Sequence, residues 1–383
     1  MKGGLRQRAP GVWEVRLEAG RDPISGRRAQ ISRTVRGSKR EAQRLLNELL
    51  ADAGNRQGGP AKVTFRSLSE QWLDLVQFEL SPTTIHRYRI LLNNRILPSI
   101  GDLQIQSIKA SDLDRLYTGL SRKAYLAPAT VRQIHAVIRR AFRQAVLWGW
   151  IDANPAANAT PPRISKTTPS PPDVDQVQRL LNLATDSDPE FARLLHLAAT
   201  TGARRGELCA LRWRNLDFKR STLTIDRSIV DLPGGLSEKD TKTHMSRRIA
   251  IDLDTLSDLK DQWKQANSVA RKAGLSLHED AFIFSSEPDG SIPLVPGRVT
   301  KKFQTLRDSI GLETVRFHDL RHFTATRLIA AGIPVRTVSG RLGHASPNTT
   351  LTVYAHFVEA SDQEAAKVIG TLVKKKKSEK KPR

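Results

Sequence analysis

A proline-rich stretch near the middle of the chain limits what the rest can fold into. Six of the nineteen residues from 154 to 172 are proline. Proline fixes φ and lacks a backbone N–H, so this stretch can continue neither a helix nor the interior of a sheet. We therefore predict an extended linker over 154–172 with separate globular units on either side of it.

Most of the positive charge lies outside the segment that follows this linker. The 383 residues include 62 Lys and Arg against 39 Asp and Glu, a formal net charge of +23. Residues 1–60 hold 13 basic and 6 acidic side chains, residues 61–165 hold 14 and 7, and residues 374–383 hold 7 and 1. A surplus of this size predicts a polyanionic partner, and nucleic acid is the usual one. Residues 374–383 are predicted to be a basic, disordered tail.

Cysteine content and hydropathy bear on the compartment. Cys209 is the only cysteine in the sequence, so no disulfide can form within the chain and a reducing compartment is expected. No run approaches the ~18 apolar residues of a membrane span. These features predict a cytoplasmic, nucleoid-associated protein with no membrane partner and no thiolate metal cluster.

Residues 1–58 are predicted to form a small sheet with one helix packed on it. Trp13, Val15 and Leu17 alternate with polar residues, as in a half-buried strand. Turn residues at 22–26 lead to a second strand over 29–35, and Ser38 with Glu41 predicts a capping box at the start of the helix. The arginines predicted to contact DNA here are Arg27, Arg28, Arg33 and Arg36. Protection of an edge strand against aggregation is their alternative role.

Residues 64–153 are predicted to form a bundle of four helices, because apolar residues recur there at helical spacing. The last helix carries four arginines away from its apolar stripe, and no acidic residue lies between 129 and 150. These four are Arg132, Arg139, Arg140 and Arg143. An ordinary solvated surface is the alternative, but the lack of acidic residues favours a face that follows DNA phosphates.

Residues 173–373 mix helical stretches with a predicted strand pair, 222–230 and 246–251, and they contain four short motifs. The motifs are Thr-Gly-Ala-Arg-Arg-Gly-Glu-Leu over 201–208, Thr-Lys-Thr over 241–243, His-Asp-Leu-Arg-His over 318–322, and Leu-Gly-His over 342–344 followed ten residues later by Tyr354. The i, i+4 spacing of His318 and His322 resembles a zinc-binding helix. The pair lacks the glutamate of H-E-x-x-H and has an arginine between its members, so no metal site is predicted.

Taken singly, each motif has an ordinary structural explanation, as a surface arginine, a core histidine or a buried tyrosine. Together they supply the groups that phosphodiester transfer needs without a metal. Arginine forks neutralise phosphate oxygens as negative charge develops. A lysine can protonate the leaving oxygen, a histidine can accept the tyrosine proton, and the tyrosine can hold the DNA end as a covalent ester.

In these motifs the sequence resembles the tyrosine recombinases of the phage integrase family, and the likeness extends over nearly all of the chain. The resemblance implies Arg204 and Arg321 as the phosphate-binding pair, Lys242 as general acid, His318 as proton-transfer partner, His344 at the second histidine position, Tyr354 as nucleophile, and Glu207 and His322 in supporting roles. Lys239, Arg247 and Arg248 are basic neighbours of Lys242 in the sequence. No cofactor is implied.

The resemblance also implies an architecture and an activity. The implied fold is multidomain α+β, with an arm-type DNA-binding domain over 1–58, an all-α core-binding domain over 64–153, and a mainly helical catalytic domain with a small antiparallel sheet over 173–373. The implied activity is integration or excision of a mobile element through a 3′-phosphotyrosyl intermediate. The implied partners are double-stranded DNA attachment sites, a homotetramer in the synaptic complex, and an accessory directionality or DNA-bending factor.

Two other classes of protein fit part of the same pattern. A type IB topoisomerase would use the same chemistry, but it needs no arm domain such as 1–58. A non-catalytic DNA-binding regulator or architectural protein would explain the basic charge equally well.

Overall fold

A computed structural model describes residues 3–21, 28–47, 63–122, 125–164, 171–240, 246–343 and 366–373. The chain divides into two compact units, Met1–Lys166 and Thr167–Arg383, and the division falls within the proline-rich stretch. Some of the predicted sites lie outside the described residues, and the predictions made for them stay predictions. They are Arg27, Lys242, His344, Tyr354 and the basic tail over 374–383, together with the side chain of Arg28.

The N-terminal part of the first unit is a three-stranded antiparallel sheet in the order β1 (Gly3–Ala9), β2 (Val12–Arg21) and β3 (Arg28–Arg36), followed by helix α1 over residues 39–47. Val15 packs with Ala42 and Leu46 to form a small core between sheet and helix. The predicted capping box is confirmed, because the Ser38 N–H donates to Glu41 Oε2 at 2.7 Å and the Glu41 N–H donates to Ser38 Oγ at 3.3 Å. Strand β1 was not predicted.

The described residues between 65 and 147 are mainly helical, as predicted, but they form five helices rather than four, because a π-helical turn divides the second predicted helix. These helices are α2 (Phe65–Val76), α3 (Pro82–Leu91), α4 (Leu97–Ile100), α5 (Ala110–Arg122) and α6 (Pro128–Leu147). A π-helical turn over Leu92–Ile96 joins α3 to α4, just ahead of Pro98. Helix α6 is the centre of the bundle, because Ile134, Ile138 and Phe142 are fully buried in its core.

The second unit is mainly helical around small antiparallel sheets, so the predicted fold class is confirmed. Its helices are α7 (Val174–Ser187), α8 (Pro189–Thr201), α9 (Arg205–Cys209), α10 (Leu253–Lys272), α11 (Pro296–Asp308), α12 (Asp319–Ala330) and α13 (Val335–Leu342), and residues 366–372 form a further helix. Its strands are β4 (Leu216–Asp217), β5 (Thr222–Ile225), β6 (Arg227–Leu232), β7 (Gly235–Asp240) and β8 (Arg247–Ala250).

The predicted pairing of 222–230 with 246–251 is wrong for half of the first segment. Strand β5 does pair with β8, with Leu223 opposite Ile249, but β6 instead forms a hairpin with β7. Buried residues at 223, 225 and 229 share one parity on both sides of Asp226, although Arg227 between them is exposed. The pattern therefore does not reveal that the backbone changes partner there.

Two kinds of feature are absent from the described residues. In the part of the chain that the structure describes, no helix is both long and apolar enough to cross a membrane. Within that same part, no group of three or more His, Cys, Asp and Glu side chains is placed to hold a metal ion.

Candidate active site

The site begins where helix α8 stops. Gly202 ends α8 in the left-handed conformation, with φ +65°, and its N–H donates to the Ala198 carbonyl at 3.0 Å. Glycine adopts this conformation without the steric cost that a Cβ imposes. The chain therefore turns sharply after Gly202 and presents Arg204 immediately before α9.

Arg204 is held by a carboxylate one turn further along. Glu207 accepts a hydrogen bond from the Arg204 backbone N–H at 2.9 Å and another from Arg204 Nη1 at 2.8 Å. Arg204 Nη2 donates to the carbonyl of Gly343, the residue after α13, at 3.0 Å. These contacts fix the guanidinium between the start of α9 and the end of α13.

Glu207 is buried and carries a charge. Its side chain is 1% exposed and also forms an ion pair with Arg247 of β8, with 2.6 Å between Arg247 Nη2 and Glu207 Oε2. Burial acts to raise the pKa of Glu207, but the hydrogen bonds and charges of Arg247 and Arg204 outweigh it, so this pKa lies below its usual range. The supporting carboxylate is thus ionised at neutral pH.

Arg321 approaches the same region from helix α12. The residue is 3% exposed, and its Nη1 donates to the Gly202 carbonyl at 2.8 Å. Thr324, one turn later, donates to the Ala199 carbonyl at 2.7 Å. Helix α12 is therefore tied to the last turn of α8, which places Arg321 beside the turn that carries Arg204.

The two histidines of the third motif lie at the start of α12. His318 immediately precedes the helix, and its ring meets that of His322 edge-on with 5.2 Å between ring centroids. Burial lowers the pKa of His318 to about 4, and the nearby charges of Arg321 and Arg204 act in the same direction. Burial also lowers the pKa of His322. Both rings are neutral at physiological pH, which a proton acceptor requires.

The structure thus brings together five of the predicted site residues: Arg204, Glu207, His318, Arg321 and His322. The adjacent Arg205 has different surroundings, because its Nη1 donates to Thr300 Oγ1 on α11. Of the two neighbouring arginines, Arg204 is the one placed with Arg321 around Gly202.

The predicted DNA-contacting arginines of α6 separate into two groups. At 100° per residue, Arg132, Arg139 and Arg143 fall within about 40° of one another around the helix, and all three are exposed. Arg140 lies about 60–100° away from these three, and its Nη1 donates to the hydroxyl of Tyr88 on α3. Only the first three therefore form a continuous basic stripe, which we call the α6 stripe.

The predicted arginines of the N-terminal sheet also separate. Arg33 lies opposite Val15 in the strand register and so shares the face that α1 covers, whereas Arg36 lies on the other face. That open face carries Arg6, Glu14, Arg16, Ser32, Thr34 and Arg36. Arg33 and Arg36 therefore lie on opposite faces of the sheet, because neighbouring odd and even positions of a strand point to opposite sides. Their contact with DNA stays a prediction.

Sequence reasoning did not identify Arg247 as the partner of Glu207, or Arg6 and Arg16 as part of a basic face. A signal for Arg247 was present, because Ile249 and Ile251 mark the buried side of β8 and Arg247 has the same parity. The signal for Arg6 was weak, because β1 contains one large apolar residue, Leu5.

Comparison with protein families agrees with this architecture. The model described as "Phage integrase family" matches residues 173–360, and that described as "Phage integrase, N-terminal SAM-like domain" matches residues 64–121. Together they cover well over half of the chain.

Similar proteins and solved structures agree with these family matches. The ICEBs1 integrase of Bacillus subtilis (strain 168) is 26% identical over 95% of this chain and 98% of its own length, and an integrase of Streptomyces ambofaciens is 26% identical over 95% and 94%. The Tn1549 transposon integrase in complex with transposon right-end DNA has a TM-score of 0.66 at 20% identity, over 79% of this chain and all of that one. A lambda integrase tetramer bound to a Holliday junction has a TM-score of 0.59 at 21% identity, over 90% and 94%.

The fold and the family matches together define a site-specific DNA recombinase of the tyrosine class. The chain belongs to the phage integrase family. This assignment favours a recombinase over the regulator and the topoisomerase that the sequence alone left open.

The turn at Gly202 gives a prediction about stability. A Cβ at position 202 would overlap Leu342 Cδ2, whereas Gly274, also at positive φ in this unit, has no atom within 4 Å of such a Cβ. Gly274→Ala should cost about 1–2 kcal/mol through backbone strain alone, and Gly202→Ala about 1–3 kcal/mol more through overpacking. Thermal unfolding of both variants measures the difference, and equal melting temperatures would contradict the packing described here.

Proposed function

We propose that this recombinase cuts and rejoins DNA through a 3′-phosphotyrosyl intermediate and thereby integrates or excises a mobile element. The observation that carries the proposal is the placement of Arg204 and Arg321 around the Gly202 turn, with the neutral His318 beside them. Two guanidiniums at one position can neutralise a phosphate from two sides, and this is the main requirement of phosphoryl transfer.

Each proposed residue has one role in the reaction. Arg204 and Arg321 bind the non-bridging oxygens of the scissile phosphate, and Glu207 orients Arg204. Tyr354 attacks phosphorus, His318 accepts its proton, and Lys242 protonates the 5′ oxygen as the P–O bond breaks. His344 takes the second histidine position in binding the phosphate, and His322 supports His318. The reverse steps then join the 3′ end to a new 5′ hydroxyl.

The test is direct detection of the covalent intermediate. Full-length protein incubated with a nicked attachment-site duplex should yield a denaturation-resistant protein–DNA adduct. The yield should be unchanged in excess chelator, because arginines rather than a metal supply the positive charge in this mechanism. An adduct that requires an added divalent ion would contradict the metal-independent mechanism.

We further propose that the α6 stripe binds phosphates of the core site. Each single substitution of Arg132, Arg139 or Arg143 by Gln should weaken core-site binding by about two- to fivefold, the size expected for one exposed charge pair. Arg140→Gln is the matched control on the same helix and should have a smaller effect, since Arg140 is engaged with Tyr88. Fluorescence anisotropy with labelled duplex gives the affinities, and an equal loss for all four would rule out the stripe as the contact surface.

The open face of the N-terminal sheet is the proposed surface for a second, arm-type DNA sequence. Three arginines on its three strands, Arg6, Arg16 and Arg36, support this assignment. Combined Arg6→Gln and Arg36→Gln should weaken arm-site binding about tenfold while core-site cleavage continues. Arg33→Gln, on the helix-covered face, should leave arm binding intact. Loss of cleavage in the double variant would indicate a structural role instead.

The proposed assembly is a homotetramer on two attachment sites, because one Tyr354 cuts one strand and exchange between two duplexes requires four cuts. The lambda integrase tetramer on a Holliday junction supports it by similarity of fold. An accessory directionality or DNA-bending factor is the further partner proposed. The four apolar residues Val368, Ile369, Leu372 and Val373 are exposed at the C-terminal helix, and they suit docking onto a neighbouring protomer.

A further inference from the structure

Arg247 is a buried cation with two groups of partners. Its side chain is 8% exposed, and it donates from Nη2 to Glu207 Oε2 at 2.6 Å and from Nη1 to Glu207 Oε1 at 3.3 Å. This fork matches both oxygens of the carboxylate, a geometry that an arginine can provide and a lysine cannot. Arg247 therefore fixes the plane of the Glu207 carboxylate as well as its charge.

The second group of partners lies at the end of α13. Arg247 Nε donates to the Arg341 carbonyl at 2.9 Å. The guanidinium also packs on Gly343, since a Cβ built there would lie 2.8 Å from Arg247 Nη1. Arg341 adds two hydrogen bonds of its own, to the carbonyls of Ala250 and Thr200 at 2.9 and 3.0 Å. The C-terminal end of α13 is thus fastened to β8 and to α8.

Glu207 divides its charge between two guanidiniums. It accepts from Arg204 through the backbone N–H and Nη1, and from Arg247 through Nη1 and Nη2. One carboxylate between two arginines leaves a net positive charge. If a neutral residue replaced Arg247, Arg204 alone would compensate the negative charge of Glu207. The attraction of Arg204 for a phosphate would then be weaker.

We propose that Arg247 is a positioning residue of the active site, which keeps Arg204 positively charged toward its ligand and holds the end of α13, from which the chain continues to His344. The proposal rests on the proposed function, in which Arg204 binds the scissile phosphate. Arg247 acts on the reaction through Glu207 and α13, without touching DNA.

The test compares full-length variants in single-turnover cleavage of a nicked duplex at saturating concentration. Arg247→Gln should cleave about 10²-fold more slowly, as expected when a phosphate ligand is displaced and partly neutralised, while its Kd for DNA changes by less than about threefold. Arg247→Lys should recover part of the rate because it keeps the charge but not the fork. Arg214→Gln removes an arginine from an exposed pair with Asp280 and is the control, with the wild-type rate expected.

Rescue by a second substitution separates positioning from a general structural role. Adding Glu207→Gln to Arg247→Gln removes the uncompensated carboxylate and should raise the cleavage rate at least about tenfold above that of Arg247→Gln alone. A double variant no faster than Arg247→Gln, or a wild-type rate in Arg247→Gln, would overturn the proposal. If Arg247→Gln is unfolded by circular dichroism, Arg247→Lys decides instead: a reduced cleavage rate at an unchanged Kd is expected from loss of the fork, and a wild-type rate would overturn the proposal.

Failure of the proposed function would give a different experimental result from failure of the role proposed for Arg247. In that case the wild-type protein forms no covalent adduct with any nicked duplex, whatever residue stands at position 247. A wild type that forms the adduct, combined with the absence of rescue, contradicts the role of Arg247 alone.

Discussion

Replacing Tyr354 with phenylalanine is expected to abolish the covalent protein–DNA adduct while leaving DNA affinity unchanged. The substitution removes one oxygen atom, which is the nucleophile in the proposed mechanism, and leaves the ring and all basic side chains in place. Adduct formation on a nicked duplex, resolved on a denaturing gel, should fall to background. Binding measured by anisotropy should stay within about twofold of the wild type.

Tyr125→Phe is the matched control, because Tyr125 is 90% exposed in the other unit of the chain and should be dispensable. An adduct of normal yield in Tyr354→Phe would remove Tyr354 from the mechanism. The nucleophile would then be another hydroxyl, and peptide mapping of the adduct would locate it.

Exchanging Arg321 or Arg204 for lysine is expected to lower the cleavage rate by about 10²- to 10³-fold, the loss seen when one preorganised donor to a developing oxyanion is removed. A lysine keeps the positive charge but cannot reproduce the planar fork. For Arg321 the exchange also disturbs a buried contact with Gly202. DNA affinity should change by less than about threefold, because many other basic residues hold the duplex. Single-turnover kinetics and anisotropy measure the two quantities separately.

Arg205→Ala is the neighbouring control for this pair. Arg205 contacts Thr300, away from the Gly202 turn, so its loss should cost far less rate than Arg204→Ala. The reverse order would reassign the phosphate ligand to Arg205. Parallel losses of rate and affinity in the lysine variants would mean that Arg204 and Arg321 only anchor the DNA.

Local patterns predicted the parts of the fold that depend on neighbouring residues. The capping box of Ser38 and Glu41 lies within four residues, and the helical bundle follows from apolar spacing along each helix. Strand partners are different, because pairing joins residues far apart in the sequence. The β6–β7 hairpin was missed because the buried residues Ile225 and Ile229 have the same parity, although they belong to two strands with different partners.

The candidate site, like the fold, was predicted where short motifs define it and missed where it depends on residues far apart in the sequence. The motif residues Arg204, His318 and Arg321 stood out by type and order, and the structure places them around one turn. Arg247 is 40 residues from Glu207 in the sequence, and its contact depends on β8 lying beside α9. Parity places Arg247 on the buried side of β8, but a local pattern does not identify its distant partner.

The division of the arginines into exposed and buried groups has a consequence for ionic strength. The α6 stripe and the open face of the N-terminal sheet carry arginines in contact with solvent, where mobile ions screen them over a Debye length of about 8 Å at physiological salt. Glu207 and Arg247 are shielded from solvent and their ion pair is little screened, and Arg321 is buried as well. Added salt therefore acts on the capture of DNA and hardly on the cleavage step once DNA is bound. We therefore expect the cleavage rate to fall with added salt when DNA is subsaturating. The cleavage rate of the preformed protein–DNA complex should stay constant.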